Sequence, residues 1–187
     1  MAQRAALTVR RRAAQVRLVA LDVDGVLTDG RLYFGARGEA LKAFDVRDGL
    51  GLRWLQQAGI ELALITGRSS GIVAARAREL GIEQVLQGQQ DKHAGLLRLL
   101  RQSGVSAQQC AYMGDDWPDL PLLGAVGLAA TVADAPVEVR RSAHWVAPSP
   151  GGRGAVRDLA GLILRAQGRY LPMLEAARRP GGGSGHG

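Results

Sequence analysis

Two aspartates follow a short apolar run near the start of the chain. Residues 18–21 (Leu-Val-Ala-Leu) lead directly into Asp22 and Asp24, and Gly25 comes next. An apolar run bounded by a turn signal is typical of a buried strand, and strand ends are where open α/β sheets bind ligands. Paired carboxylates repel each other, and a hard cation with oxygen ligands, typically Mg²⁺, would offset their charge. A polar turn after a core strand explains the bare pair equally well, so other residues must decide.

Further polar residues follow three later apolar runs. In chain order they are Thr66, Gly67, Arg68, Lys92, Asp115, Asp116 and Asp119. Because parallel strands end at one edge of a sheet, these side chains are expected to converge with Asp22 and Asp24. The set suits phosphoryl transfer from a phosphomonoester, which needs a metal ion, donors for phosphate oxygens and an in-line nucleophile. One aspartate can be that nucleophile, while a second carboxyl protonates the leaving alcohol and then activates water.

The elements that must position these residues alternate along the chain. Predicted strands cover residues 17–22, 61–66, 84–87, 110–114, 126–129 and 144–146, and predicted helices cover residues 49–58, 70–80, 92–103, 119–123, 136–141 and 155–167. This alternation predicts an α/β fold with a central parallel sheet and helices on both faces. Gly59, Gly81 and Gly104 stand where left-handed C-caps would end three of the helices.

A hairpin is predicted where a cap domain would otherwise stand. Residues 31–34 and 39–44 flank the four-residue turn Gly-Ala-Arg-Gly, and the interval is too short for a separate domain. Residues 1–15 are predicted to be a mobile basic arm, residues 16–170 the folded domain, and residues 171–187 a flexible Gly-rich tail.

Composition restricts the partners of this chain. The 187 residues carry a net charge of +7, but the arginines are scattered and aromatic residues make up only 4%, so no nucleic-acid partner is expected. A small anionic substrate would explain a basic cleft equally well. No apolar run is long enough to cross a membrane. Residues 1–15 lack the pattern of a secretory signal, and Cys110 is a lone cysteine, so a reducing cytoplasm is expected.

The four polar segments resemble, in order and spacing, the four motifs of the haloacid dehalogenase superfamily. The resemblance implies a Rossmann-like fold in which Asp22 is the nucleophile and Asp24 the general acid and base. It makes Thr66 and Lys92 the groups that hold phosphate oxygens and orient the nucleophile. An acid at Asp24 favours a phosphatase over a dehalogenase, which has no need of a second acid there.

The same resemblance implies a Mg²⁺ site in the acidic segment. Asp115 would bind the ion beside the Asp22 carboxylate and the backbone carbonyl of Asp24. Asp116 and Asp119 complete the acidic motif, as further ligands or as residues that support the ligands.

Three segments narrow the resemblance. Residues 22–30, 43–49 and 151–157 resemble the capless 3-deoxy-D-manno-octulosonate 8-phosphate (KDO-8-P) phosphatase family, and the likeness spans roughly residues 16–170. It implies hydrolysis of a small phosphorylated sugar acid in a homotetramer whose hairpins assemble centrally and whose neighbouring subunits help close each site. The substrate-binding residues that it implies are Asp24, Asp45, Val46, Arg47, Asp48, Gly49, Arg53, Gly67, Arg68, Arg76 and Lys92.

Several alternatives remain open on the sequence. Asp45 stands where the family often has Asn, so a nonulosonate 9-phosphate or another small phosphomonoester could be the substrate. A catalytically silent regulatory partner of the same fold is a further alternative, against which the complete motif set argues. Arg47 and Asp48 could simply begin a helix, while Arg53 and Arg76 could be solvated residues on helix surfaces. The glycine-rich segment around Arg153 could be an anion site at a helix N-terminus or only a loop.

Overall fold

Eight strands and eight helices are present in the computed structural model, which describes residues 2–179, with side chains from residue 6 onward. The strands are β1 (Leu18–Leu21), β2 (Tyr33–Gly35), β3 (Gly38–Leu41), β4 (Glu61–Ile65), β5 (Gln84–Leu86), β6 (Cys110–Gly114), β7 (Leu128–Thr131) and β8 (Trp145–Val146). The helices are α1 (Ala2–Ala14), α2 (Val46–Gln57), α3 (Gly71–Glu79), α4 (Lys92–Ser103), α5 (Leu120–Ala125), α6 (Val137–Ser142), α7 (Ala155–Ala166) and α8 (Tyr170–Ala177).

Six of the strands form one parallel sheet, in the order β5-β4-β1-β6-β7-β8. Strand β1 lies between β4 and β6, with Leu18 opposite both Glu61 and Cys110. Strands β1, β6 and β7 are buried along their whole length, as expected where helices cover both faces of a parallel sheet. The chain runs from β1 outwards to β5 and then returns to β6, so the order reverses at β1, where doubly wound sheets open a ligand crevice.

The predicted α/β architecture is confirmed. Helix α4 occupies the predicted residues 92–103, and the other predicted helices begin or end within a few residues of their expected positions. Gly59, Gly81 and Gly104 adopt φ angles of 73°, 67° and 66°, the left-handed conformation predicted after three helices. Asp45, Ser70 and Asp91 precede α2, α3 and α4, and each side chain accepts a hydrogen bond from a backbone N–H of the first turn.

The predicted hairpin is present as a separate two-stranded sheet of β2 and β3. Its turn is shorter than expected, because Gly35 pairs with Gly38 and only Ala36 and Arg37 remain between the strands. Gly38 has a φ of 105°, a backbone conformation that is strained for residues with a side chain. Glycine at this position therefore makes the tight turn possible. The chain between β1 and α2 holds only this hairpin, so no cap domain lies there.

Both chain ends differ from the sequence expectation. Residues 2–14 form α1, which packs on α7, in place of the predicted mobile arm. Ala13 and Val16 are buried, and Arg12 Nη1 donates to the Gly127 carbonyl at 2.6 Å. Helix α8 occupies the first part of the predicted tail, while residues 180–187 of that tail lie outside the described residues. No helix in the described part of the chain combines the length and the hydropathy of a membrane span.

Candidate active site

Asp22 follows the last residue of β1 and is held by the sheet on its backbone side. Its N–H donates to the Met113 carbonyl of β6 at 3.0 Å, which continues the parallel ladder by one residue. Its Oδ1 accepts the Val23 N–H at 2.8 Å, and its Oδ2 accepts from Lys92 Nζ at 2.7 Å. The carboxylate is therefore fixed in orientation at the carboxyl edge of the sheet.

Lys92 links two carboxylates from different parts of the chain. It is the first residue of α4, and its Nζ lies 2.7 Å from Asp22 Oδ2 and 2.8 Å from Asp119 Oδ1. Burial lowers the pKa of Lys92, but the two carboxylates outweigh burial and raise it overall, so the ammonium stays charged. Burial and the charge of Asp119 raise the pKa of Asp22 to about 6, against the opposing effect of Lys92.

Asp119 organises the acidic loop that follows β6. Its Oδ1 accepts from the buried Tyr112 hydroxyl at 2.7 Å as well as from Lys92. Its Oδ2 accepts the N–H groups of Asp115 and Asp116 at 3.0 and 3.3 Å. These four donors use the acceptor capacity of the carboxylate, so Asp119 shapes the loop and fixes Lys92.

The acidic cluster fits a hard divalent cation. Asp22, Asp115 and Asp119 each offer a carboxylate oxygen, and these three oxygens lie within 4.8 Å of one another. Burial, with the charges of Asp22 and Asp119, raises the pKa of Asp115 to about 8 against the opposing effect of Lys92, so the single ammonium does not offset the charge of the three carboxylates. A Cβ on Gly25 would lie 1.9 Å from Asp115 Oδ2, so only glycine admits this carboxylate. Since Asp119 is already saturated by donors, Asp22 and Asp115 are the side chains that have free capacity for the ion.

Asp116, which the sequence reasoning had placed among the metal ligands, lies outside this cluster. Its side chain instead accepts the Trp117 N–H at 2.8 Å and caps the 3-10 turn Trp117–Asp119. The capping bond keeps the carboxylate next to its own backbone. Its role as a metal ligand stays a prediction.

Asp24 lies two residues beyond Asp22 and faces a different set of partners. Lys42 Nζ, from the end of the hairpin, forms an ion pair with Asp24 Oδ1, and Arg68 Nε lies 3.8 Å from Asp24 Oδ2. Thr66, at the end of β4, is buried, and its hydroxyl accepts the Arg68 N–H at 3.4 Å. The two aspartates of the pair therefore have separate environments, as division between nucleophile and acid would require.

A cavity of about 590 Å³ opens over these strand ends. Its lining combines Asp22, Asp24, Thr66, Gly67, Arg68, Gln89, Gln90, Asp91, Lys92, His93, Asp115, Asp116, Pro118, Asp119 and Pro121. The cavity thus joins all four segments that the sequence predicted to converge. A larger cavity, of about 910 Å³, lies around Gln15, Arg17 and Gln167 and has no carboxylate among its lining residues. The chemistry therefore belongs to the smaller one.

The predicted substrate segment of residues 45–49 does not line this cavity. Asp45 caps α2 and pairs with Arg47 at 2.6 Å, an interaction whose hydrogen bonds lower the pKa of Asp45. Val46 is 79% exposed. Asp48 is buried, and its two oxygens accept the N–H groups of Gly154 and Arg157. This residue of α2 therefore caps the N-terminus of another helix, α7. Asp48 itself lies in the first turn of α2, which is one of the two alternatives for this residue. Its contact with substrate stays a prediction.

Arg53 and Arg76 lie together on the surface beside Glu79, outside the cavity. Arg76 Nη1 donates to Glu79 Oε1 at 2.8 Å, and its guanidinium lies 5.7 Å from the centre of the Phe44 ring. Arg53 donates to the Glu79 carbonyl at 3.5 Å. A Cβ on Gly49 would lie 2.6 Å from Arg76 Nη2, so Gly49 makes room for this arginine. Their contact with substrate stays a prediction.

The glycine-rich segment before α7 supports the loop that follows Asp24. A Cβ on Gly151 would lie 1.8 Å from the Gly25 carbonyl oxygen, and a Cβ on Gly152 would lie 2.4 Å from the Thr28 carbonyl carbon. Gly152 N–H also donates to the Val26 carbonyl at 2.9 Å. The segment therefore packs closely against the Asp24 turn. Of the two alternatives for this segment, an anion site and a loop, the packing corresponds to the loop.

Sequence reasoning missed two residues that contact the site. Tyr112 looked like one more apolar residue of β6, although a tyrosine three residues before an acidic loop is a weak signal of a buried hydroxyl. Lys42 is one of only two lysines in the chain, but it belongs to none of the motifs. No local pattern shows that it reaches Asp24, because the contact depends on how the hairpin folds back.

A Rossmann-like sheet with this acidic strand-end site defines a haloacid dehalogenase-like hydrolase, and the family model of that name matches residues 39–127. The KDO-8-P phosphatase of Haemophilus influenzae is 44% identical over 86% of this chain and 89% of its own length. The phosphatase of the same name from Yersinia pestis is 48% identical over 85% of both chains. This chain belongs to the 3-deoxy-D-manno-octulosonate 8-phosphate phosphatase family.

A solved structure agrees with this assignment. The KDO-8-P phosphatase of Moraxella catarrhalis, crystallised with a magnesium ion, a phosphate ion and KDO, is 41% identical to this chain. It superposes with a TM-score of 0.89, covering 91% of this chain and 98% of its own. The similarity therefore extends over the whole folded domain.

Proposed function

We propose that this chain hydrolyses KDO-8-P to KDO and inorganic phosphate, with Mg²⁺ as its cofactor. The observation that carries the proposal is the strand-end pair in which Asp22 is held by Lys92 at 2.7 Å and Asp24 faces the same cavity. Relatives at 44% and 48% identity are named for this activity, and a third was crystallised with magnesium, phosphate and KDO. A cytoplasmic location in a reducing environment is part of the proposal.

The reaction divides between the two aspartates. The Asp22 carboxylate attacks phosphorus, and the bond between phosphorus and the sugar oxygen breaks while Asp24 gives its proton to that oxygen. This step leaves an aspartyl-phosphate on Asp22 and a carboxylate on Asp24. Asp24 then takes a proton from water, the water oxygen attacks phosphorus, and phosphate leaves with Asp22 restored.

The remaining residues hold charge and geometry for these steps. Lys92, which stays protonated, orients Asp22 and faces the phosphate oxygens from the start of α4. The Thr66 hydroxyl and the backbone around Gly67 supply neutral donors at the end of β4. Asp22 and Asp115, with the Asp24 carbonyl implied by the family resemblance, would hold Mg²⁺. When bound, the ion supplies the positive charge that offsets the clustered carboxylates and the phosphate dianion.

We further propose that the active form is a homotetramer. The hairpin exposes the apolar side chains of Leu32, Tyr33, Phe34 and Leu41, although isolated two-stranded hairpins are marginal in water. Central assembly of four hairpins would cover this surface. It also gives a role to Arg47, Arg53 and Arg76, which lie outside the cavity of their own subunit and are proposed to meet the sugar acid in a neighbour's site.

Phosphate release from a panel of esters tests the substrate. KDO-8-P is expected to give a higher kcat/KM than nonulosonate 9-phosphates or hexose phosphates, and EDTA is expected to stop turnover. A preference for a nonulosonate 9-phosphate would refute the proposed substrate and agree with Asp45 at the position where the family often has Asn. No hydrolysis of any ester with Mg²⁺ would favour a silent regulatory partner.

Replacement of the nucleophile tests the mechanism. Asp22→Asn keeps the acceptor for the Val23 N–H but cannot form the acyl phosphate, so turnover is expected to fall to background while the fold survives. Asp29→Asn is the matched control, since this carboxylate pairs with Arg31 outside the cavity. Circular dichroism checks the fold of both variants. Substantial activity of Asp22→Asn with metal present would refute the covalent mechanism.

A further inference from the structure

Asp24 is held in position by a lysine of the hairpin. Lys42 follows β3, its side chain is only 1% exposed, and its Nζ forms an ion pair with Asp24 Oδ1. Lys42 is not one of the described residues that line the active-site cavity. Its ammonium therefore contacts Asp24 without itself lining the cavity in which a substrate would sit.

The lysine is fixed at its other side by a short chain of polar groups. Lys42 Nζ also lies 2.9 Å from Glu39 Oε1, and the Ser70 hydroxyl donates to Glu39 Oε2. Ser70 is itself fixed, since it caps α3 and its N–H donates to Gln87 Oε1 at 2.7 Å. A continuous path thus runs from the start of α3 through the hairpin to Asp24, and each member is anchored by its neighbour.

This arrangement leaves one oxygen of Asp24 available. Lys42 occupies Oδ1, while Oδ2 faces the exposed Arg68, whose Nε lies 3.8 Å away and whose side chain lines the cavity. A half-buried aspartate such as Asp24 still has several staggered rotamers open to it, and proton transfer requires the transferring oxygen within hydrogen-bond reach of the leaving group. A lysine fixed on Oδ1 selects the rotamer in which Oδ2 points into the cavity.

We propose that Lys42 is a positioning residue that aims Asp24 Oδ2 at the leaving oxygen of the substrate. The inference rests on the proposed phosphatase function. The proton that Oδ2 carries passes to the sugar oxygen as the phosphorus–oxygen bond breaks, and Lys42 itself neither gains nor loses a proton. Glu39 contacts Lys42 and Ser70 contacts Glu39, so both act indirectly by holding Lys42 in place. The hairpin thereby supports the general acid Asp24.

The test compares two kinds of leaving group in the Lys42→Met variant. A sugar alkoxide needs protonation to leave, whereas the nitrophenolate of p-nitrophenyl phosphate does not. The ratio kcat/KM reports the steps up to loss of the leaving group and omits hydrolysis of the acyl phosphate. Since a well-placed general acid contributes about 10²- to 10⁴-fold, its misplacement is expected to lower kcat/KM for KDO-8-P by about 10- to 100-fold. The value for p-nitrophenyl phosphate is expected to change by less than about threefold, because its departure needs no acid.

Two further variants separate positioning from folding. Lys42→Arg keeps the charge and the donors and is expected to recover part of the loss with KDO-8-P. Arg37→Met removes an exposed charge from the turn of the same hairpin and is expected to match wild type with both esters. Thermal unfolding of every variant checks that the hairpin change has not unfolded the domain.

The outcomes discriminate between the roles that Lys42 could have. Equal losses with both esters would show a general structural role and overturn the proposal. A higher KM for KDO-8-P with kcat unchanged would show substrate contact and also overturn it. If wild type hydrolyses p-nitrophenyl phosphate and glucose 6-phosphate but not KDO-8-P, the proposed substrate fails. The comparison then proceeds with glucose 6-phosphate as the alkyl ester, and selective loss there still supports the positioning role.

Discussion

A relay of hydrogen bonds through Tyr112, Asp119 and Lys92 ends on Asp22, the proposed nucleophile. The Tyr112 hydroxyl donates to the Asp119 oxygen that also accepts from Lys92, and Lys92 reaches Asp22 on its other side. Burial and the nearby carboxylates raise the pKa of Tyr112, so the hydroxyl keeps its proton and remains a donor. Each group in the relay therefore satisfies a charge or a donor that would otherwise be buried alone.

Removal of that one hydroxyl is expected to weaken the whole relay. Tyr112→Phe takes a donor from a buried carboxylate, and such losses cost about 1–3 kcal/mol. Urea unfolding should show a free energy of unfolding lower by about that amount, with the slope against urea unchanged. Tyr170→Phe, on α8 outside the hairpin, is the matched control and should match wild type, because phenylalanine keeps the ring contacts with Trp54 and Arg165. A Tyr112→Phe variant as stable as wild type would show that Asp119 is satisfied without the hydroxyl.

The sequence predicted the residues that line the cavity better than the residues that hold them in place. Asp22, Asp24, Thr66, Lys92 and Asp115 line one cavity, because strand ends of a parallel sheet must share an edge. Lys42 and Tyr112 could not be found in this way. Their partners are set by how a hairpin folds back and by which face of β6 looks towards the acidic loop, and neither choice leaves a local pattern.

At the scale of elements, α2 and α7 are joined through their N-termini. Asp48 lies in the first turn of α2, yet its carboxylate accepts the Arg157 N–H at 2.8 Å and the Gly154 N–H at 3.2 Å at the start of α7. The Arg157 guanidinium in turn stacks 3.5 Å from the centre of the Trp54 ring of α2. The contact fixes the glycine-rich loop that packs on the Asp24 turn, so it supports the site from a distance.

The buried cap predicts a pH dependence of stability. Burial raises the pKa of Asp48 from 3.8 to about 6, although the two N–H donors oppose the shift. Between these values the unfolded chain releases the proton while the folded protein keeps it, so rising pH favours unfolding. The contribution is complete below pH 3.8 and is lost as the pH passes 6. It amounts to about 3 kcal/mol at 1.36 kcal/mol per pKa unit.

The Asp48→Asn variant isolates this contribution. Because asparagine does not titrate, the stability of wild type relative to Asp48→Asn should fall between pH 4 and pH 6 and then stay constant. Urea unfolding at several pH values measures it. Glu138→Gln, on the exposed surface of α6, is the control for the loss of a carboxylate away from the contact between α2 and α7. A flat difference for Asp48→Asn would mean that the folded carboxyl titrates near its ordinary value.

The N-terminal helix shows why an element can be misjudged from composition. Arg10, Arg11 and Arg12 made residues 1–15 resemble a solvated arm, yet their helix buries Ala13 against the domain and packs on α7. Long arginine stems can cover apolar surface while their charged ends reach water or a carbonyl. Arg12 does so by donating to the Gly127 carbonyl. The run of three consecutive arginines therefore concealed a packed face.

At the scale of the whole molecule, the hairpin is the element whose apolar side chains remain exposed in a single chain. It forms its own two-stranded sheet, apart from the six-stranded sheet, with an outer surface of leucine and aromatic side chains. The same hairpin carries Lys42 and Glu39, which connect it to Asp24 and Ser70. Assembly through the outer surface would therefore hold in place the element that we propose to aim the catalytic acid.

A charge on the outer surface of the hairpin tests the assembly. Phe34 is 64% exposed, and burying an aspartate there among four hairpins would leave unpaired charges in an apolar interface. By light scattering, Phe34→Asp is expected to yield monomers or dimers, whereas wild type is expected to give the proposed tetramer. Since the arginines of a neighbour would then be missing from each site, KM for KDO-8-P should rise by about tenfold or more, as for the loss of a charged contact. Val137→Asp, an equivalent change at an exposed valine of α6, should keep the tetramer. A wild-type monomer, or a tetrameric Phe34→Asp variant, would refute assembly through the hairpin.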